Sequence, residues 1–188
     1  MEEMKDVEVS ALVHTFKYAH IEREKRFLLR NLPATTEGNR KLRIFDKYLE
    51  GTRLRLRKVI ESGQPNVFKL GQKIRIQESS AYEIAHTTIY LNSSEFELFA
   101  KLPGSELEKV RTTTKIEDLA FALDVFQGRL NGLVLAEIDV GGFGELPRGF
   151  RIANSIEVTE DERFTGGALA KTGAEQLRLA LEEVFGRP

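Results

Sequence analysis

The chain has 188 residues, of which 41% are hydrophobic and 30% charged, a composition that fits one soluble globular domain with a sizeable core. It has no cysteine, which excludes disulfides, thiolate metal sites and a cysteine nucleophile. With 28 basic and 29 acidic residues the formal net charge is −1, against the basic excess usual in non-specific nucleic-acid binding, and no apolar run approaches the roughly 20 residues that span a bilayer. The acidic start MEEMKDVEVS lacks a secretory pattern, so a reducing, cytoplasmic setting is expected.

In chain order, residues 1–18 read either as a short strand or helix packed outside the main body or as an N-terminal extension, within a single domain covering 1–188. Residues 20–30 read as a strand. Every second residue gives His20, Glu22, Glu24 and Arg26 on one face, because strand side chains alternate. The stretch 31–40, with Pro33 and Gly38, reads as a loop. Segment 44–59 puts Leu54 and Leu56 opposite Arg53, Arg55 and Arg57. Segment 66–77 puts Phe68, Leu70, Ile74 and Ile76 opposite Lys69, Lys73 and Arg75, and the two segments read as a hairpin. Residues 81–91 are strand-like. A helix is expected over 93–102, with Ser94 and Glu97 forming its capping box. Further strands are expected at 107–114, 119–127, 132–140 and 151–159, and a C-terminal helix over 165–185. Seven or eight strands in meander order with few helices predict a mainly β, α+β fold: one antiparallel sheet, either open or closed into a barrel.

The polar faces share a pattern. Glu22, Glu24, Arg26, Arg53, Arg55, Arg57, Lys69, Lys73, Arg75, Lys109, Arg111, Asp124, Glu137, Asp139 and Glu157 make nine bases and six acids, a surplus of three positive charges. The acids come in pairs, Glu22 with Glu24 and Glu137 with Asp139, and the bases in rows on other strands. Such segregation predicts an acid-lined metal site beside a base-lined anion site, because carboxylates suit hard cations and Arg grips phosphate bidentately. Val134, Ala136, Ile138 and Val140 lie opposite the second acid pair and would pack the outside of the sheet.

Glu22-x-Glu24-x-Arg26 resembles the E-x-E-x-K motif of the CYTH superfamily, the triphosphate tunnel metalloenzymes. RLRLR (53–57) is similar to its paired-arginine strand and KLGQK (69–73) to its T-x-K strand. Lys109-Val110-Arg111 resembles its K-x-R strand, ALDVFQGRLNGLVLAEID (122–139) its D-V-F to A-E-x-E segment, and VTEDERF (158–164) its final strand. The resemblance covers residues 20–170. Arg26 stands for the motif lysine, Gly71 for a threonine and Asp139 for a glutamate.

The resemblance implies an eight-stranded antiparallel barrel forming a tunnel, with flanking helices and the C-terminal helix near one mouth. Carried over, Glu22, Glu24, Glu137 and Asp139 hold a divalent metal, Mg²⁺ or Mn²⁺. Arg26, Arg53, Arg55, Lys73, Lys109 and Arg111 bind phosphates, joined by Arg57, Lys69 and Arg75 on the same faces, and Glu22, Glu24, Arg26 and Lys73 are the candidate catalytic residues. The expected activity is metal-dependent hydrolysis of a triphosphate, inorganic tripolyphosphate first. The alternatives are thiamine triphosphate hydrolysis, cyclisation of ATP as in class IV-type adenylate cyclases, and a binding module for polyphosphate or RNA. A small triphosphate is the expected partner, without membrane or nucleic acid, and a homodimer is admitted. There is no phosphate loop of the G-x-x-x-x-G-K-[ST] type and no H-E-x-x-H.

Overall fold

The computed structural model describes residues 17–33, 40–76, 82–141 and 144–186. The expected N-terminal extension lies almost wholly outside them, as do parts of the 31–40 and 141–149 loops. Nine strands form one antiparallel sheet: β1 (His20–Leu29), β2 (Lys41–Leu49), β3 (Leu54–Glu61), β4 (Val67–Arg75), β5 (Glu83–Leu91), β6 (Gly104–Ile116), β7 (Leu119–Phe126), β8 (Val134–Asp139) and β9 (Ser155–Glu157). The strands follow the order β5-β4-β3-β2-β6-β7-β8-β1, and a further β5–β1 pairing closes the first eight into a barrel. Strand β1 makes that closure possible. One of its edges pairs with β8, while its other edge pairs first with β5 (His20 to Arg23) and then with β9 (Phe27 to Leu29).

The number of barrel strands matches expectation, but their identities differ. The 44–59 segment is not one strand of a hairpin; it is itself a hairpin, β2 and β3, turning at Glu50 to Arg53 with Gly51 at φ +69°. Glycine takes that left-handed conformation without a Cβ penalty. The 151–159 segment contributes only the short ninth strand on the edge of β1.

Among the described residues, three α-helices follow from local chemistry. Helix α1 (Ser93–Ala100) is capped by Asn92, whose side chain accepts from Glu95 N at 2.9 Å while Glu95 Oε2 accepts from Asn92 N at 2.8 Å. The capping box is therefore Asn92/Glu95, not Ser94/Glu97. This register turns Phe96, Phe99 and Ala100 onto Leu49, Leu56 and Leu70 on the barrel's outer face. The 165–185 segment is two helices, α2 (Gly166–Leu169) and α3 (Ala174–Phe185). The break at 170–173 is pinned to the barrel by Arg129, which donates to the carbonyls of Ala170, Thr172 and Glu106. Among the described residues, no helix is long and apolar enough to cross a membrane.

Packing divides the sheet into two surfaces. Outside, Phe27, Phe121, Leu123, Ala136, Ile138 and Val140 pack under Ile152 and Phe150. Inside, the strand faces that carry the charges become apolar at one end. Leu28 continues the Glu22–Arg26 row, Leu135 precedes Glu137, and Leu107 precedes Lys109. These residues join Phe126, Phe164, Leu169 and Leu177 in a core that plugs this end with the C-terminal helices. Burying such side chains stabilises each by about 1.5–3 kcal/mol, so the plug anchors the barrel end.

Candidate functional site

Above the plug the lumen holds a cavity of about 330 Å³ lined by Glu22, Glu24 and Arg26 (β1), Tyr48 (β2), Arg55 and Arg57 (β3), Lys73 and Arg75 (β4), Ile84 and His86 (β5), Lys109 and Arg111 (β6), Glu137 (β8), and Thr165 to Gly167. The registers explain the convergence. Arg57 stands opposite Asp46, Lys73 opposite His86, Arg111 opposite Asp124, and Arg26 opposite Glu137. Residues paired across an antiparallel sheet project to the same side, so the closed barrel turns all four pairs inward.

Three of the bases are locked by buried acids. Arg57 makes a bidentate pair with Asp46, both contacts 2.6 Å, and Asp46 is 2% exposed. Burial pushes the Asp46 carboxyl up, but the Arg57 guanidinium outweighs it and holds the group at about 2. Asp124, fully buried, accepts from Lys109 and, at 2.6 and 2.5 Å, from Arg111. Arg111 also pairs with Glu137. Burial drives the Lys109 ammonium below its ordinary range against the pull of Asp124. Burial would raise Glu137, but Lys109 and Arg111 together hold it well below the usual carboxylate range.

The opposite wall is looser. Lys73 Nζ lies 2.9 Å from Glu22 Oε2 and 3.1 and 3.2 Å from the two oxygens of Glu24. His86 Nδ1 is 2.6 Å from Glu22 Oε1, and its Nε2 is 3.2 Å from Thr88 Oγ1. Burial works to raise Glu22, yet His86 and Lys73 prevail and hold it at about 2. Gly71 gives the imidazole room, since a Cβ there would come within 3.2 Å of His86 Nε2. Arg26 is 5% exposed and donates to Thr159 O at 2.6 Å.

Among the described residues, the buried side-chain atoms without a hydrogen-bond partner are Arg26 Nε, Arg55 Nε and Glu22 Oε2, and all three belong to residues lining this cavity. Buried donors are normally satisfied, so these two guanidinium N–H groups are donors free to receive an anion beside one cavity, the Arg55 one standing 3.7 Å from Asp46 Oδ1. With Asp46 and Asp124 behind the lining, seven bases stand against five acids, a surplus of two before Glu162, which pairs with Arg75 at the rim, is counted.

Three expected site residues stand elsewhere, and a fourth, Arg75, sits at the rim. Arg53 is exposed in the β2–β3 turn, because the strand begins only at Leu54. Lys69 shares the Arg57 face but lines a separate surface cavity with Arg40, Leu42, Val59 and Glu61, its ammonium 5.0 Å from the Tyr90 ring centroid. Asp139 is exposed where β8 ends, and its Oδ1 accepts from Arg23 N and Gly141 N. Arg75 reaches the lumen but sits at its rim, paired with Glu162 at 2.7 Å. Glu157, from the polar-face pattern, pairs with Lys25 outside the cavity. Asp46, behind the lining, and Tyr48 and His86, within it, are residues that sequence reasoning did not place in the site. A turn at Glu50-Gly51 would have revealed the first two, since Asp46 and Tyr48 then alternate on their own strand.

The donor chemistry of Glu22, Glu24 and Glu137 suits a hard cation. As placed, however, these residues do not fit a resident ion. Among the described residues no three carboxylate or imidazole groups gather closely enough to hold a metal. Glu22 and Glu24 are taken up by Lys73, Glu137 by Arg111, and Asp139 by the turn.

No family model matches the chain, and no curated protein matches it. Solved structures do. One, described as the inorganic triphosphatase NE1496, matches with a TM-score of 0.55 and 27% identity, covering 80% of this chain and 95% of that one. Another, described as the hypothetical protein NE1496, matches with a TM-score of 0.56 and 26% identity, covering 81% of this chain and 99% of that one. With its closed eight-stranded antiparallel barrel and charge-lined lumen, the chain is thus a protein of the CYTH, triphosphate tunnel, fold that its Glu22-x-Glu24 strand resembles.

Proposed function

We propose that the chain hydrolyses the terminal phosphoanhydride of a triphosphate, with inorganic tripolyphosphate as the first substrate to test and thiamine triphosphate as the second. The observation that carries this reading is the pair of open guanidinium donors, Arg26 Nε and Arg55 Nε, beside one base-rich cavity. Phosphoryl transfer is accelerated chiefly by positioning and by stabilising charge on the transferred group, which fixed guanidinium and ammonium groups supply. Arg26 and Arg55 donate to phosphate oxygens. Arg57, Lys109 and Arg111, held by Asp46 and Asp124, give a positive wall that needs no reorganisation during reaction. The likeness to a protein described as an inorganic triphosphatase supports the substrate class.

The reading includes a divalent cation, Mg²⁺ or Mn²⁺, because the surplus of two positive charges falls short of the roughly four negative charges of a triphosphate near neutral pH. The test is orthophosphate release from tripolyphosphate, thiamine triphosphate and ATP by purified protein with each metal. Release from tripolyphosphate that Arg26→Ala abolishes is expected. No release from any of the three overturns the proposal, and cyclic AMP from ATP would replace it with cyclisation.

A further inference from the structure

We propose that the open edge of β5 pairs antiparallel with the same edge of a second copy of this chain, about a two-fold axis at Ile89. The inference stands apart from the triphosphate reading, since it uses the rim of the sheet and nothing that enters the lumen.

Strand β5 outruns its neighbour on that side. Strand β4 pairs with it from Ile84 to Leu91, but β1 reaches only from Glu83 to His86. Strand β1 begins at His20, and Lys17 and Tyr18 before it lie in a turn. Among the described residues, Thr87 to Leu91 therefore have no strand beside them on the β1 side. Backbone groups alternate in direction along an antiparallel strand. Tyr82 O accepts from Glu24 N of β1, whereas Glu83 O accepts from Ile76 N, just beyond β4. Even-numbered residues of β5 thus turn their N–H and C=O towards β1. Past His86, those of Thr88 and Tyr90 point at the open edge.

This edge lacks the usual protection. Sheets guard open edges with charge, proline or a bulge. Thr87-Thr88-Ile89-Tyr90-Leu91 has neither charge nor proline, and Ile89 and Tyr90 are 55% and 69% exposed. A second copy therefore meets this edge without like-charge repulsion. The backbone selects the register. With Ile89 opposite Ile89, Thr88 faces Tyr90 of the second copy, and the two such pairs exchange four hydrogen bonds. Centring the axis on Thr88 sets Tyr90 against His86, whose backbone already faces β1. Centring it on Tyr90 sets Thr88 against Asn92, whose N–H donates to Glu95 Oε2. Only the Ile89 register satisfies Thr88 and Tyr90 in both copies. It also brings the two Ile89 side chains together on the outer face, beside Leu70. A contact of one strand edge is small, so the dimer is reversible and concentration-dependent.

The chain has no cysteine, so Ile89→Cys places a single thiol on the axis, where facing Cα atoms lie about 4.5 Å apart, within disulfide reach. Under mild oxidation this variant should run at twice 21.3 kDa on a non-reducing gel. Leu98→Cys, on α1 and 65% exposed, should stay monomeric. Sedimentation equilibrium of wild type should show a monomer–dimer exchange. Ile89→Lys sets two ammonium groups face to face and should weaken it at least about tenfold. Tyr90→Pro removes a donor from the open edge while sparing the β4 ladder, and should weaken it similarly. Circular dichroism matching wild type checks that both variants fold. A wild-type chain that stays monomeric up to about 1 mM overturns the proposal. So does a dimer that persists in both variants, or equal cross-linking by Leu98→Cys, either of which puts the contact on another face.

Discussion

The two walls of the lumen use the same residue types for opposite ends. On the β2–β3 and β6–β8 side, Asp46 and Asp124 are essentially enclosed, and each grips an arginine bidentately, so Arg57 and Arg111 have little freedom to reorient. On the β1–β4–β5 side, Lys73, Glu22 and Glu24 are partly open to solvent, and the ammonium is shared between carboxylates. Buried pairs resist breakage because removing one partner strands a charge in low dielectric, whereas half-open pairs exchange partners at small cost. The first wall fixes a positive surface; the second offers groups that can change partners.

The contrast can be broken most forcefully at Asp124. Replacing it by alanine strands Lys109 and leaves Arg111 with Glu137 alone, and unfolding in denaturant should show a loss of about 3–5 kcal/mol. A loss below 1 kcal/mol would mean that the wall is not locked. Next comes Arg55→Ala, which removes a guanidinium whose Nε makes no hydrogen bond and stands 3.7 Å from Asp46 Oδ1, a carboxylate that keeps its bidentate pair with Arg57. Tripolyphosphate affinity should fall by about 1.5–3 kcal/mol while Tm stays nearly constant, and calorimetry beside thermal melting separates the two.

Acid sharpens the comparison more gently. Glu22 and Asp46 are held at about 2 in the folded chain, below ordinary values of 4.5 and 3.8. A depressed carboxyl contributes stability fully above its unfolded value and loses it as pH falls through the folded one. Tm should therefore be flat above pH 5 and fall between about 4.5 and 2, and Asp46→Asn should flatten part of that slope. The smallest effect belongs to Arg53→Ala. In an exposed turn it should shift stability by no more than about 0.5 kcal/mol and leave phosphate release unchanged. A tenfold drop in release would return Arg53 to the site.

That last residue shows where sequence reading stops. Alternation assigned Arg55, Arg57, Lys73, Lys109 and Arg111 to inward faces, because a period of two follows from strand geometry alone. It extended the same logic to Arg53, although alternation carries no information once the strand has ended. Asp139 had the correct parity but fell at the last residue of β8, where its carboxylate satisfies nearby amides. Asp46 was invisible for a different reason: reading 44–59 as continuous hid the turn at Gly51, and with it the register that sets Asp46 against Arg57. Segregation of charge was legible in the sequence. Which charges cancel each other was not, because pairing depends on neighbours up to 132 positions away, as with Lys25 and Glu157.

The segment entering α2 lies so near the Tyr48 ring that a methyl group on Gly166 would sit 2.0 Å from the phenolic oxygen and 3.0 Å from Cζ. At position 166 only a hydrogen atom fits between the backbone and the phenol. Any larger substituent would make the C-terminal rim lift or the ring move aside, so the seating of that rim against Tyr48 depends on the smallest side chain the chain possesses.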